Sequence, residues 1–182
     1  MNSNYPQFIP MIPDIKADPK NEAEMTVYVD SSPYPEVTGS PDPVTVEMLK
    51  NDYAGAKGEL TAITLYIFQN QRSTDNDTYA NSVLQLAIVE MIHLDLLGDA
   101  IVALGGNPSF DNGQYYWSAK NVNYATEYRE MLKVSLEAEQ TAIANYEKHI
   151  ARTNNESVKA LLRRIVKDEE LHVRFFSELL SR

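Results

Sequence analysis

With 182 residues the chain has room for one domain with a substantial core and too little for two comfortable ones. It has no cysteine, which removes disulfides, thiolate metal sites, iron-sulfur clusters and cysteine nucleophiles together, so any metal must be held by oxygen and nitrogen. A formal charge of -10 argues against nucleic-acid or anionic-membrane partners, both of which need basic surface, and suits a protein that attracts cations.

In chain order, eight of the nine prolines fall within residues 6–43, so residues 1–44 read as an irregular arm. Its apolar residues Phe8, Ile9, Met11, Ile12, Val27, Tyr28 and Val29 would be costly in water, and the arm is expected to pack along the rest of the chain or a neighbouring subunit. The prolines and acids at the start leave no unbroken apolar stretch for a signal peptide, and no later run approaches the ~20 apolar residues of a membrane span. A soluble, cytoplasmic protein is expected. Residues 45–182 read as one bundle domain of four helices, at 44–72, 78–104, 123–152 and 156–180. Their ends are legible in the polar turn Ser73-Thr74-Asp75-Asn76-Asp77, the terminator Gly105-Gly106-Asn107-Pro108 and the short connection Thr153-Asn154-Asn155. The segment 105–122 can extend to ~60 Å, whereas a helix of ~27 residues is only ~40 Å long. It can therefore run the length of the bundle. The fold class is all-α: two helical hairpins joined by one long crossover.

The hairpins are copies of each other. Glu59-Leu60-Thr61-Ala62-Ile63-Thr64-Leu65-Tyr66 aligns with Glu139-Gln140-Thr141-Ala142-Ile143-Ala144-Asn145-Tyr146, identical at five of eight positions. Each is followed by Glu-x-x-His: Glu90 and His93 after a gap of 31 residues, Glu169 and His172 after a gap of 30. Residues three apart share a helix face, so each glutamate projects beside its histidine. Glu59 lies 13 residues before the first turn and Glu90 13 after it, which sets both at one height in antiparallel helices. Glu139 and Glu169, each 15 residues from Asn154, repeat the arrangement. The same stripes carry Val83, Leu86, Ala87, Leu97 and Ile101 around Glu90, and Leu162, Ile165, Val166, Val173 and Phe176 around Glu169, so the acids point inward. Four carboxylates buried without counterions would take up protons, whereas two divalent cations cancel four charges and neutral imidazoles complete the donor sets. One Glu from each of two helices and Glu-x-x-His from each of the other two is a dimetal carboxylate pattern.

Glu59-x-x-Ala62-Ile63-x-x-Tyr66, Glu90-Met91-x-His93, Leu104-Gly105-Gly106-Asn107-Pro108 and Asp168-Glu169-Glu170-Leu171-His172 resemble, as a set, the bacterioferritin and rubrerythrin branch of the ferritin-like proteins. The resemblance covers residues 46–180 and implies a ferritin-like four-helix bundle. It implies two metal ions per subunit, with Glu59 and Glu139 as terminal ligands, Glu90 and Glu169 bridging, and His93 and His172 binding one ion each. It also implies that Tyr66 and Tyr146 hydrogen-bond to ligand carboxylates. The short ligand gaps and the run Ala54-Gly55-Ala56-Lys57-Gly58-Glu59 are similar instead to manganese catalases and their spore-coat relatives. The additional glutamate of rubrerythrins is Ala142 here, no four-cysteine iron domain can be built, and the chain ends ten residues past His172, where a storage cage would use a further helix.

The expected function is a non-haem dimetal oxidoreductase acting on dioxygen, peroxide or Fe(II), with iron ahead of manganese. Manganese catalase-like peroxide dismutation is one alternative, and an iron-binding, storage or spore-coat-type structural protein another. A homo-oligomer, dimer or larger, and an external electron donor are the expected partners. Haem is not expected: Met91 occupies the position of a haem-ligating methionine in bacterioferritins, but reads as a packing residue. His149, turned ~80° from the Glu139 stripe, reads as a solvated or interface histidine. Asp52 shares the stripe of Glu59 two turns earlier, where it could line an ion route, and reads as exposed near a helix end.

Overall fold

The computed structural model describes residues 27–182. Among the described residues five α-helices follow in order: α1 (Pro43–Ala54), α2 (Glu59–Arg72), α3 (Asp77–Ala103), α4 (Tyr128–Arg152) and α5 (Glu156–Ser181), with a 3-10 turn at Ala119–Asn121. Two hairpins result, α1 and α2 against α3, and α4 against α5. Their ends follow from local chemistry. Asp42 caps α1 through the Thr45 amide with Pro43 in the first turn, Asn76 caps α3 through Tyr79, and Asn155 caps α5 through Ser157 and Val158. At the end of α3 the Gly105 amide reaches Val102 O and the Gly106 amide reaches Ile101 O. Gly105 takes φ +79, which a side chain would resist.

Two boundaries differ from the sequence reading. The helix expected at 44–72 is interrupted at Gly55–Gly58, so that Glu59 becomes the first residue of α2. The Gly58 backbone passes so close to the end of α1 that a Cβ there would meet Asp52 O at 2.3 Å, which is why a glycine stands at this position. Thr61 braces the break by donating to Gly55 O at 3.1 Å, and Trp117 of the crossover donates to Thr61 Oγ1 at 2.9 Å. The helix expected to start at 123 starts at Tyr128. Asn123 instead accepts from the Ala125 amide with its side chain, a local bond that competes with helix.

The crossover does run the length of the bundle. Phe110 stacks on Tyr53 of α1 at 5.6 Å, Tyr124 meets Phe68 of α2 edge-on, and Tyr128 meets Tyr79 at the start of α3. Midway, Asp111 and Tyr116 close a tight turn that leaves Tyr115 and Tyr116 exposed. The described part of the arm, residues 27–42, packs along α5: Tyr28 lies beside His172, Tyr34 beside Asp168, and Thr38 bonds with Ser157 and Asn155. Phe8, Ile9, Met11 and Ile12 lie outside the described residues.

The core has two apolar parts. Leu49, Leu97, Ile101, Leu161, Leu162 and Ile165 fill one end, while Leu65, Val83, Leu86, Ala87, Leu132 and Phe176 fill the other. Burying each such Val, Leu, Ile or Phe side chain stabilises by roughly 1.5–3 kcal/mol. Between these parts, at the middle of α3, α4 and α5 and the start of α2, the inward positions are carboxylates and imidazoles.

Candidate metal centre

Glu59, Glu90, His93, Glu139, Glu169 and His172 are all buried. They form two groups that could each hold a metal ion, Glu59, Glu90, His93 and Glu169 on one side, and Glu90, Glu139, Glu169 and His172 on the other. Within each group the donor atoms lie within 4.8 Å of one another. The groups share Glu90 and Glu169, and the oxygens divide between them. Glu90 Oε2 is 2.9 Å from His93 Nδ1 and Oε1 is 3.2 Å from His172 Nδ1. Glu169 Oε1 is 3.2 Å from His93 Nδ1 and Oε2 is 2.9 Å from His172 Nδ1. Glu59 approaches only His93, at 3.9 Å, and Glu139 only His172, at 3.6 Å. Each half of the duplicated sequence thus contributes to both groups.

Tyr66 and Tyr146 donate across this twofold pattern. Tyr66, on the helix of Glu59, bonds to Glu139 Oε1, and Tyr146, on the helix of Glu139, bonds to Glu59 Oε1. Both tyrosines also fill core, Tyr66 stacking on Phe176. The outer nitrogens of the two histidines have partners as well. His93 Nε2 lies 3.1 Å from Asp168 Oδ2 and His172 Nε2 lies 3.0 Å from the Tyr28 carbonyl oxygen. Both partners only accept, so Nε2 carries the hydrogen and, in a neutral ring, Nδ1 is the free donor atom facing the carboxylates.

Without a cation the cluster shares protons. Burial, together with the charges of Glu90 and Glu169, pushes Glu59 well above the usual carboxyl range and Glu139 up to about 8. Burial pushes Glu90 up too, but His172 and His93, one on each oxygen, outweigh it and hold Glu90 below that range. Burial opposes the imidazolium forms, yet Glu169 and Asp168 around His93, and Glu90, Glu139 and Glu169 around His172, raise both histidines well above the usual value. Glu59, Glu90 and Glu139 are therefore not raised alike, as charge repulsion among them would imply. Satisfaction remains incomplete: Glu90 Oε1, both oxygens of Glu169 and His172 Nδ1 are buried without a well-directed hydrogen bond. Such atoms are rare in folded proteins, and here they aim at one space. An oxygen-rich set completed by imidazole nitrogen suits divalent iron or manganese.

The family model of the ferritin-like domain matches residues 51–182. The chain belongs to the ferritin-like domain family. Among solved structures, this ferritin-like chain is similar to KatB, a manganese catalase from Anabaena PCC7120, at 25% identity and a TM-score of 0.76, over 84% of this chain and 78% of that one. It is also similar to a Rhodobacter capsulatus bacterioferritin described with a metal-free dinuclear site and heme iron, at 25% identity and a TM-score of 0.68, over 79% and 87%. A third relative is the encapsulin nanocompartment cargo protein EncC of Myxococcus xanthus (strain DK1622), 39% identical over 57 residues. That match spans 31% of this chain and 44% of the relative, less than half its length.

Three sequence expectations need correction. His149 is buried, not solvated, and its Nδ1 lies 2.6 Å from Asp52 Oδ2. Asp52 is buried as well, and burial raises its carboxyl, with His149 partly offsetting. The inward arc of α4 is wider than the Glu139 stripe and takes in His149, one turn beyond Tyr146. Met91 packs less than expected: it is 42% exposed, turned outward by its place next to the inward Glu90. Sequence reasoning gave no role beside the centre to Tyr28, Asp30, Tyr34 or Arg164. Only Asp168 carried a signal, as a carboxylate inside the Glu169 motif.

Proposed function

We propose that the chain is a non-haem dimetal oxidoreductase acting on dioxygen, peroxide or Fe(II), with Glu59, Glu90, His93, Glu139, Glu169 and His172 as ligands of two ions. One observation carries the reading: Glu90 and Glu169 each present one oxygen to each histidine, as bridging carboxylates must. Two ions held there would supply Lewis acidity and electrons for cleaving an O–O bond. The side chains prepare that setting. Bridging Glu90 and Glu169 would fix the separation, while Glu59 and Glu139, held at one oxygen by Tyr146 and Tyr66, keep the other oxygen free to move. The two apolar cores exclude bulk water. Loading requires His93 and His172 to give up the protons they share with the acids, so metal affinity rises with pH.

Iron is the preferred metal on the bacterioferritin-like motifs. Manganese-dependent peroxide dismutation is the second reading, supported by the likeness to KatB and by the short ligand gaps. An iron-binding, storage or spore-coat-type structural role is the third, supported by the likeness to a bacterioferritin described with heme iron. Iron and manganese should be quantified in protein purified without added metal, with anomalous scattering at both edges. Protein that holds no metal even after incubation with either ion would sink the dimetal reading. Protein reconstituted separately with each metal should then receive peroxide without reductant in an oxygen electrode. Sustained oxygen release only with manganese supports dismutation. Silence with both leaves a peroxidase or oxidase that draws on an external electron donor.

A further inference from the structure

The duplication that builds the centre fails at one place behind it. Asp168 stands just before Glu169 in α5, and the matching position before Glu90 in α3 is Val89, which has no acceptor to offer. His93 is therefore backed by a carboxylate and His172 is not. The arm supplies the missing partner: the Tyr28 carbonyl accepts from His172 Nε2 at 3.0 Å.

Asp168 is held from several sides, two of them provided by the arm. Its Oδ1 accepts from the Asp30 amide at 2.6 Å, and its Oδ2 accepts from the Tyr34 hydroxyl at 2.6 Å, beside His93 Nε2. Arg164 Nη1 lies 2.7 Å from the same oxygen. The remaining guanidinium donors reach Ser32 O and Asp30 O, both at 2.5 Å, and its carbon sits 4.0 Å over the Tyr34 ring. Arg164 and Asp168, one turn apart on α5, clamp the arm between them. The inner donor sets are alike, three carboxylates and one imidazole each, and these outer partners are what distinguishes the two histidines.

Resting on the dimetal reading, we infer that Asp168 and the strap Tyr28–Tyr34 make the two positions unequal. The Glu59, Glu90, His93 and Glu169 position takes the first divalent cation, and the Glu90, Glu139, Glu169 and His172 position takes the second. An anionic acceptor behind Nε2–H orients the ring and makes Nδ1 the stronger donor, whereas a carbonyl does so less. Partners of this kind change metal affinity by about 10–100-fold. Arg164 shares the Asp168 charge, which puts the expected gap near the lower end, about tenfold. Asp168, Tyr34 and Arg164 are thus positioning residues.

The test is calorimetric titration of the full-length apo protein with Mn(II) alone. Wild type should bind two ions in two steps about tenfold apart. Asp168→Asn should bring the steps together at the weaker affinity with two ions still bound. His93→Ala should lose the tighter step, and His172→Ala the weaker one, which keeps the test decisive where Asp168→Asn fails to fold. With one equivalent of Mn(II), the anomalous peak should lie beside His93 Nδ1. A tight step lost in His172→Ala, or a first peak beside His172, overturns the inference. Two ions bound by wild type in one unresolved step overturns it and leaves the dimetal reading standing, whereas no binding to wild type removes both.

Discussion

At the residue scale, the decisive feature is how many partners each oxygen has. Glu90 faces both histidines, while His93 and Glu59 belong to one group. Glu90→Ala is expected to lower occupancy of both metals, and His93→Ala to empty chiefly one. Elemental analysis of each variant checks this, and equal metal content in wild type and Glu90→Ala would rule out bridging. Tyr146→Phe should weaken metal binding by about 10–100-fold, because Glu59 loses the donor that holds it. The buried pair of Asp52 and His149 lies outside both donor groups and links α1 to α4. Asp52→Ala strands a buried imidazole nitrogen and should cost about 1–3 kcal/mol in denaturant unfolding. Asp52→Asn, which keeps an acceptor, should cost less.

At the element scale, the interruption between α1 and α2 matters most. A continuous helix would carry Glu59 at an interior position, whereas the break sets it at a helix N-terminus, where unpaired amides favour negative charge. Gly58→Ala puts a methyl group against the Asp52 carbonyl, so the break must shift. We expect a loss of about 1–3 kcal/mol, as for other overpacked sites, together with lower metal occupancy. Both should appear in one preparation, by thermal unfolding and by metal analysis. A stable variant with full metal content would show that the close approach is dispensable.

At the scale of the whole molecule, the cluster ties folding stability to pH when no metal is bound. Glu59 and Glu139 have raised folded values, so their contribution is present below the usual 4.5 and lost as pH rises, for Glu139 through about 8. His93 and His172 are also raised, so theirs is present below 6.5 and lost as pH rises through their folded values. Glu90 is lowered, so its contribution is present above 4.5 and lost as pH falls. Apo protein should therefore melt highest in mild acid and progressively lower from neutral pH to pH 9. Loaded protein should lose most of that decline, because cations replace the shared protons. Melting curves of both forms across pH 5–9 check this, and an apo melting temperature that climbs over the range would contradict the assignment.

Sequence by itself determined the helical hairpins, the crossover and the convergence of six side chains, because periodicity, capping and ligand spacing are local properties that duplication made visible twice. The carboxylate-bonding role of Tyr66 and Tyr146 was implied by the family resemblance, whereas that each bonds across to the other half was not. What only the tertiary structure decided involves partners far apart in the chain. Asp52 meets His149, Tyr34 meets Asp168, and Tyr28 meets His172 across 97, 134 and 144 residues respectively. No spacing rule predicts these, since an irregular arm has no period and its carbonyls look alike in sequence. The break at Gly55–Gly58 was half visible: two glycines mark a place where a helix can stop, but only the approach of Gly58 to the Asp52 carbonyl makes it stop there. Whether a buried carboxyl rises or falls was likewise settled by contact, because Glu90 and Glu139 have the same chemistry and the same burial but differ in how many imidazoles face them.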